Sequence, residues 1–166
     1  ARTTSAPDLP TLLEAKVGCL LHRLVNDVEG AKKDVDELRR SFPDYVRGWL
    51  WVSELEARNG NIDGAVDALT SYLEKRPDDA YALYQRARHH VSRGRISAAV
   101  ADLEATKRTS PTALDLQPRV YLANVHLRAG RRDLWIQELE ALVKDAPTAA
   151  TAIEELAKAY LLEKRY

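Results

Sequence analysis

The chain has 166 residues, 45% hydrophobic and 30% charged, a balance that suits a folded domain with its own core and excludes a disordered chain. Lys and Arg number 25, as do Asp and Glu, so the basic excess expected of a nucleic-acid binder is missing. No run reaches the ~18 uncharged apolar residues that a membrane span needs, and the lone Cys19 excludes a disulfide within the chain.

Residues 1–11 hold two prolines among small polar side chains and read as a linker or mobile tail. Thr11 and Glu14 have the spacing of a capping box and predict the start of a first helix. Residues 12–45 make a first pair of helices, with Asn26 in the turn between them. Residues 46–79 make a clearer pair. Trp49, Val52 and Ser53 share one helical face. Gly60 ends that helix, because Gly tolerates the left-handed conformation of a C-cap, and Asp63 is placed to cap the next. Ala65, Leu69, Tyr72 and Leu73 form a second stripe, and Pro77 stops it, since the residue before a proline is driven out of helix. Residues 80–113 repeat this plan. Residues 114–149 repeat it with two residues more. The surplus is expected around 112–118, with Asp115 capping a helix and Pro118 in its first turn, where a missing N–H costs nothing. Residues 150–163 predict a final capping helix. Its inner side would be Ile153, Leu156, Ala157, Tyr160 and Leu161, and its outer side Glu154, Glu155, Lys158 and Glu163.

The punctuation is periodic. Pro43, Pro77, Pro111 and Pro147 are separated by 34, 34 and 36 residues, and Gly60, Gly94 and Gly130 each precede a proline by 17. No single helix can bury its stripe alone, so the units must stack. Aligned on the prolines, a small residue recurs at Cys19, Ser53, Ala87, Ala123 and Ala157, and an Ala at Ala31, Ala65 and Ala99 in the second helix. Val35, Leu69, Leu103 and Leu139 follow four residues later. A large residue is expected at Ala15, Trp49, Leu83, Arg119 and Ile153. The fourth unit departs from the pattern, with Arg119 at that large apolar position and Trp135 where the Ala should be. With these marks the chain resembles the tetratricopeptide repeat family. The resemblance covers nearly everything after Pro10. It implies an all-α, right-handed α-solenoid of about four and a half helix-turn-helix repeats: 12–45, 46–79, 80–113, 114–149 and a terminal helix over 150–163.

The resemblance also implies a concave groove lined by the first helix of each repeat. The matching positions are Lys16, Val17 and Leu20; then Arg47, Leu50, Trp51, Glu54 and Arg58; then Tyr81, Tyr84, Gln85 and Arg88; then Gln117, Val120, Tyr121 and Asn124. Three tyrosines, a tryptophan and several arginines are the side-chain types that dominate binding hot spots. Members that grip a chaperone's C-terminal carboxylate use Lys, Asn and Arg at set groove positions. Lys16 matches one of them, whereas Leu20, Trp51, Tyr81 and Gln85 do not match.

Signs of catalysis are sparse. His22, His90 and His126 occupy one repeat position, where the family prefers Tyr. Packed helices stand ~8–10 Å apart, too far for these rings to share one ion. Cys19 fills a small-residue slot and reads as inert packing. No phosphate loop, zinc spacing or carboxylate pair appears. The sequence therefore predicts a non-enzymatic scaffold or adaptor. It would bind a peptide or a segment of another protein in the groove, as part of a larger protein or complex, without cofactor or metal, nucleic acid or membrane insertion. The alternatives are a structural or self-assembly module acting through its end surfaces, with the terminal helices as the route to a homo-oligomer, and a regulatory domain of a larger enzyme.

Overall fold

The computed structural model describes residues 9–42, 45–109 and 116–163. Among them are nine α-helices and no strand: α1 (Leu9–Leu24), α2 (Val28–Ser41), α3 (Gly48–Arg58), α4 (Ile62–Leu73), α5 (Ala80–Ser92), α6 (Ile96–Thr109), α7 (Leu116–Arg128), α8 (Arg132–Asp145) and α9 (Ala150–Glu163). The chain divides into two compact units, Ala1–Pro77 and Asp78–Tyr166. Each is a stack of helix-turn-helix repeats, so the all-α repeat architecture expected from the periodic prolines is the one observed.

In the first unit α1 packs on α2, α2 on α3, and α3 on α4. Its core joins Cys19, Val35, Leu38, Val52 and Ala68, with Trp49 and Trp51 half-buried against them. The approach of α2 to α3 is close: a Cβ added at Gly48 would lie 2.7 Å from Cγ2 of Val35, so a Gly is needed there. The buried Glu56 carboxylate lies 2.5 Å from Nζ of Lys32 on α2, and Nδ2 of Asn61 donates to it at 2.8 Å. The charge buried at that point is therefore paired and hydrogen-bonded.

In the second unit α5 through α9 pack each on the next. One core cluster joins Ala87, Val91, Ala99, Leu103, Leu122 and Val125. A second joins Ala123, Trp135, Ile136, Leu139 and Ala159. Both departures of the fourth repeat are explained. Arg119, 7% exposed, sends Nη2 to Oδ2 of Asp145 at 2.8 Å, which ties α7 to α8. Trp135, 2% exposed, fits because Ala123 and Ala159 in the same cluster are small.

The turns between the two helices of each repeat share one backbone device. Gly60, Gly94 and Gly130 have φ of 79°, 71° and 73°, and Asn26 takes the same role with φ 58°. Asn is the side chain that best tolerates this left-handed region. Two predicted starts differ. Helix α1 begins at Leu9, so Thr11 lies inside it and the expected capping box does not open it. Pro10 in the first turn allows the earlier start, because that turn does not need its N–H. Helix α4 is capped by Asn61, which accepts from the Gly64 amide at 3.1 Å, and Asp63 sits in its first turn. Helix α7 begins at Leu116 with Pro118 in its first turn, as expected; Asp115 lies outside the described residues.

Helix α9 is turned in part from its predicted orientation: Leu156 and Tyr160 pack inward as expected, but the rest of the expected inner side does not. Ala152 and Ala159 are fully buried, while Ile153 and Leu161 are 44% and 67% exposed and Ala157 is exposed too. The helix offers its small side chains to the bulky Trp135, and that choice rotates the larger apolar stripe outward.

Candidate functional site

In the second unit the first helices of two successive repeats, α5 and α7, border an open cleft of about 590 Å³. Its lining includes Tyr81, Tyr84, Gln85 and Arg88 from α5, and Gln117, Pro118 and Tyr121 from α7. The α5 residues recur at steps of three, four and seven, which places them on one helical face. Six of the eight predicted groove residues in this unit are brought together. Val120 and Asn124 are half-buried and lie outside the lining.

Tyr84 and Tyr121 meet edge to face, with centroids 5.7 Å apart and planes at 85°. Both rings also rest on the buried cluster of Ala87, Leu103 and Leu122, so they are held in place before any ligand arrives. Tyr81 is 61% exposed. The Arg88 guanidinium lies 5.9 Å from the Tyr84 ring centroid, and its Nη1 donates to Oε1 of Gln85 at 3.1 Å. Burial pushes the Tyr121 phenol above the ordinary tyrosine pKa, while the positive charges of Arg128 and Arg88 pull it back down. Among the described residues, no Asp or Glu lines the cleft. The arrangement offers an apolar slot between rings, amide and phenol hydrogen-bonding groups, and a guanidinium at one end. Arg128, seven residues after Tyr121 on the same face of α7, acts on that ring by its charge and lies outside the lining.

In the first unit Arg47, Leu50, Trp51 and Glu54 lie at the start and along α3. Arg47 is exposed and Leu50 half-buried. Trp51 packs on the core cluster around Val52, so it supports the fold as well as facing outward. The Glu54 carboxylate is engaged by Arg23 at 2.8 Å and by Arg58 at 4.0 Å.

Three of the four histidines, His22, His90 and His126, share an arrangement that the sequence reading missed: each has a carboxylate twelve residues on, in the helix that follows. Nδ1 of His22 is 2.8 Å from Asp34, and Nε2 of His90 is 3.8 Å from Asp102. His126 feels the charge of Glu138. Asp102 is itself gripped by Arg86 through bonds of 2.8 and 2.7 Å. Among the described residues no group of three His, Cys, Asp or Glu side chains could hold a metal ion, and no helix is long and apolar enough to cross a membrane. Burial pushes the Cys19 thiol up to about 11, far from the thiolate a nucleophile needs.

The sequence model of the tetratricopeptide repeat matches residues 25–80 and 55–113, together more than half of the chain. No curated protein matches significantly. Among solved structures, a double mutant of MamA superposes with a TM-score of 0.74 at 16% identity, covering 97% of this chain and 88% of that one. A putative kinesin light chain from Podosopora anserina with nearly identical TPR-like repeats gives 0.70 at 17%, covering 93% and 88%. The first TPR of Spaghetti (RPAP3), bound to an HSP90 peptide, gives 0.59 at 13%, covering 72% and 95%. At these identities the likeness is one of fold.

Proposed function

Because the chain belongs to the tetratricopeptide repeat family, we propose that it is a protein-interaction scaffold that takes a segment of another protein into the cleft between α5 and α7. The observation that carries this reading is the Tyr84–Tyr121 ring pair, fixed on the core and flanked by Arg88, in an open cleft. Rigid aromatic side chains beside Arg give large contact area at low entropic cost. A protein of similar fold, the first TPR of Spaghetti, has an HSP90 peptide bound, which supports a peptide or protein as the class of partner. Arg47, just before α3, with Leu50, Trp51 and Glu54 on it, serve as a contact face of the first unit. We read the chain as having no catalytic activity and no cofactor. The buried, protonated Cys19 supports this reading.

A partner captured from native extract provides the test. Tyr81→Ala and Arg88→Ala are both changes at exposed residues and should each weaken binding by about tenfold or more. Lys144→Ala and Asp67→Ala, exposed on α8 and α4, should leave it unchanged. Full binding in Tyr81→Ala and Arg88→Ala, with loss in Lys144→Ala, would move the site to a second-helix surface.

A further inference from the structure

Two arginines stand at one end of the cleft. Ala80 and Tyr81 at the start of α5 share its lining with Gln117 and Pro118 at the start of α7, so the two helices run side by side in the same direction. Arg88 and Arg128 then lie toward their C-terminal ends, beyond the Tyr84–Tyr121 pair. Arg88 comes one turn after Tyr84, and Arg128 two turns after Tyr121, each on the face of its ring. Both are exposed. The positive charges of both act on the Tyr121 phenol, and among the described residues no carboxylate does. Other arginines of the same helices are used differently. Arg86 meets Asp102 at 2.7 Å and Arg119 meets Asp145 at 2.8 Å. Among the described residues Arg88 and Arg128 have no such carboxylate. Arg88 is instead steadied by the Tyr84 ring and by Oε1 of Gln85. That bond uses a single N–H of a guanidinium that carries several.

We propose that the segment taken into the cleft carries an Asp or Glu side chain beside its apolar anchor, and that Arg88 and Arg128 hold this carboxylate while the anchor rests on Tyr84 and Tyr121. The proposal rests on the reading of the cleft as a peptide site and adds the chemistry of the peptide. Charge complementarity chooses the occupant, because two guanidiniums near one phenol make a local positive field that steers an anion to it. A guanidinium fork also matches the two oxygens of a carboxylate, which a single point charge would not. The spacing sets the motif. Arg88 lies ~6 Å along the axis of α5 from Tyr84, and Arg128 ~10 Å along α7 from Tyr121. An extended segment advances ~3.3 Å per residue, so its acid falls about two or three positions from the anchor. The contact is exposed and screened by salt, so it sets the choice of partner more than the strength of binding.

A synthetic library of random peptides of about a dozen residues, with free C-termini, supplies the probe when it is selected on the immobilised full chain and sequenced by mass spectrometry. Asp or Glu should be enriched at that spacing from an aromatic residue or leucine. For the tightest peptide, changing the acid to its amide should weaken binding about fivefold in fluorescence anisotropy. On the double variant Arg88→Gln, Arg128→Gln the same change should cost less than about twofold, because the interaction has already been removed. Arg128→Gln alone leaves the Arg88–Tyr84 contact in place and should remove part of the effect. Both arginines are exposed, so circular dichroism melts should stay close to wild type. Peptides that lose affinity in Tyr81→Ala but show no preference for an acid would overturn this proposal and leave the cleft reading standing. Peptides indifferent to Tyr81→Ala, or no selected peptide at all, would overturn both. A peptide that binds about tenfold tighter with phosphoserine in place of its acid, or that much more weakly once its C-terminus is amidated, would assign the arginines to a phosphate or a chain end and overturn the side-chain carboxylate.

Discussion

Single residues decide how closely the helices approach. Ala65 and Ala99 are fully buried at equivalent points of α4 and α6. Replacing either with Leu inserts volume that the neighbouring helix cannot yield, and should cost about 1–3 kcal/mol. Urea unfolding of each variant measures this, and an unchanged midpoint would mean that the repeat phase is misassigned. The histidines predict a pH dependence. Burial, the leading cause, pushes His90 and His126 below the ordinary histidine pKa; Asp102 and Glu138 oppose it, while Arg86, Arg95, Arg131 and Lys107 add to it. In the unfolded chain both rings titrate near 6.5. As pH falls the unfolded state takes up protons first, so stabilisation fully present above about pH 6.5 is lost below it. The urea midpoint should drop between about pH 7 and pH 5.5. The double variant His90→Gln, His126→Gln should drop less. Equal slopes for the two proteins would show that these rings do not carry the effect.

At the scale of elements, the turn at Asn26 tests whether backbone conformation or side chain ends α1. Its φ of 58° matches the Gly turns, and its amide also donates to Asn59 across the repeat. Asn26→Ala should cost about 1–2 kcal/mol, since a Cβ without a compensating polar group is strained in this region. Asn26→Gly should cost only a few tenths, because the exposed hydrogen bond is the one thing lost. Equal melting temperatures for the two variants would contradict this. The elements also show what sequence reading reaches. Gly60, Gly94, Gly130 and the prolines were legible because each has one conformational use, and that alone sets the repeat. The orientation of α9 was not legible. Its Ala residues fall on both sides of the helix, so the stripe of Ile153, Ala157 and Leu161 competes with that of Ala152, Leu156 and Ala159. Periodicity cannot rank them. Trp135 does, by packing with Ala159, and that is a contact between helices. The start of α1 was missed for a related reason, because a capping box is a local pattern and Pro10 is equally at home in a first turn.

At the scale of the whole molecule, the cleft was partly legible. The groove positions implied by the resemblance found Tyr81, Tyr84, Gln85, Arg88, Gln117 and Tyr121, which the structure gathers in one place. They did not show that Tyr84, Tyr121 and Trp51 also pack on the core. These side chains therefore carry stability whatever the cleft binds, and Tyr84→Ala should lower the melting temperature as well as affinity for a partner in the cleft. A groove side chain propped by the core is preorganised, which limits the entropy lost on binding. The central claim is that a partner segment lies in the cleft between α5 and α7. Hydroxyl-radical footprinting of the chain with and without its captured partner tests it most directly, because it reads the exposure of individual rings. The account predicts that bound partner protects Tyr81, Tyr84 and Tyr121, and leaves the exposed surfaces of α6 and α8 as reactive as before. Protection confined to α6 and α8, with Tyr81 as reactive as in the free chain, would contradict it.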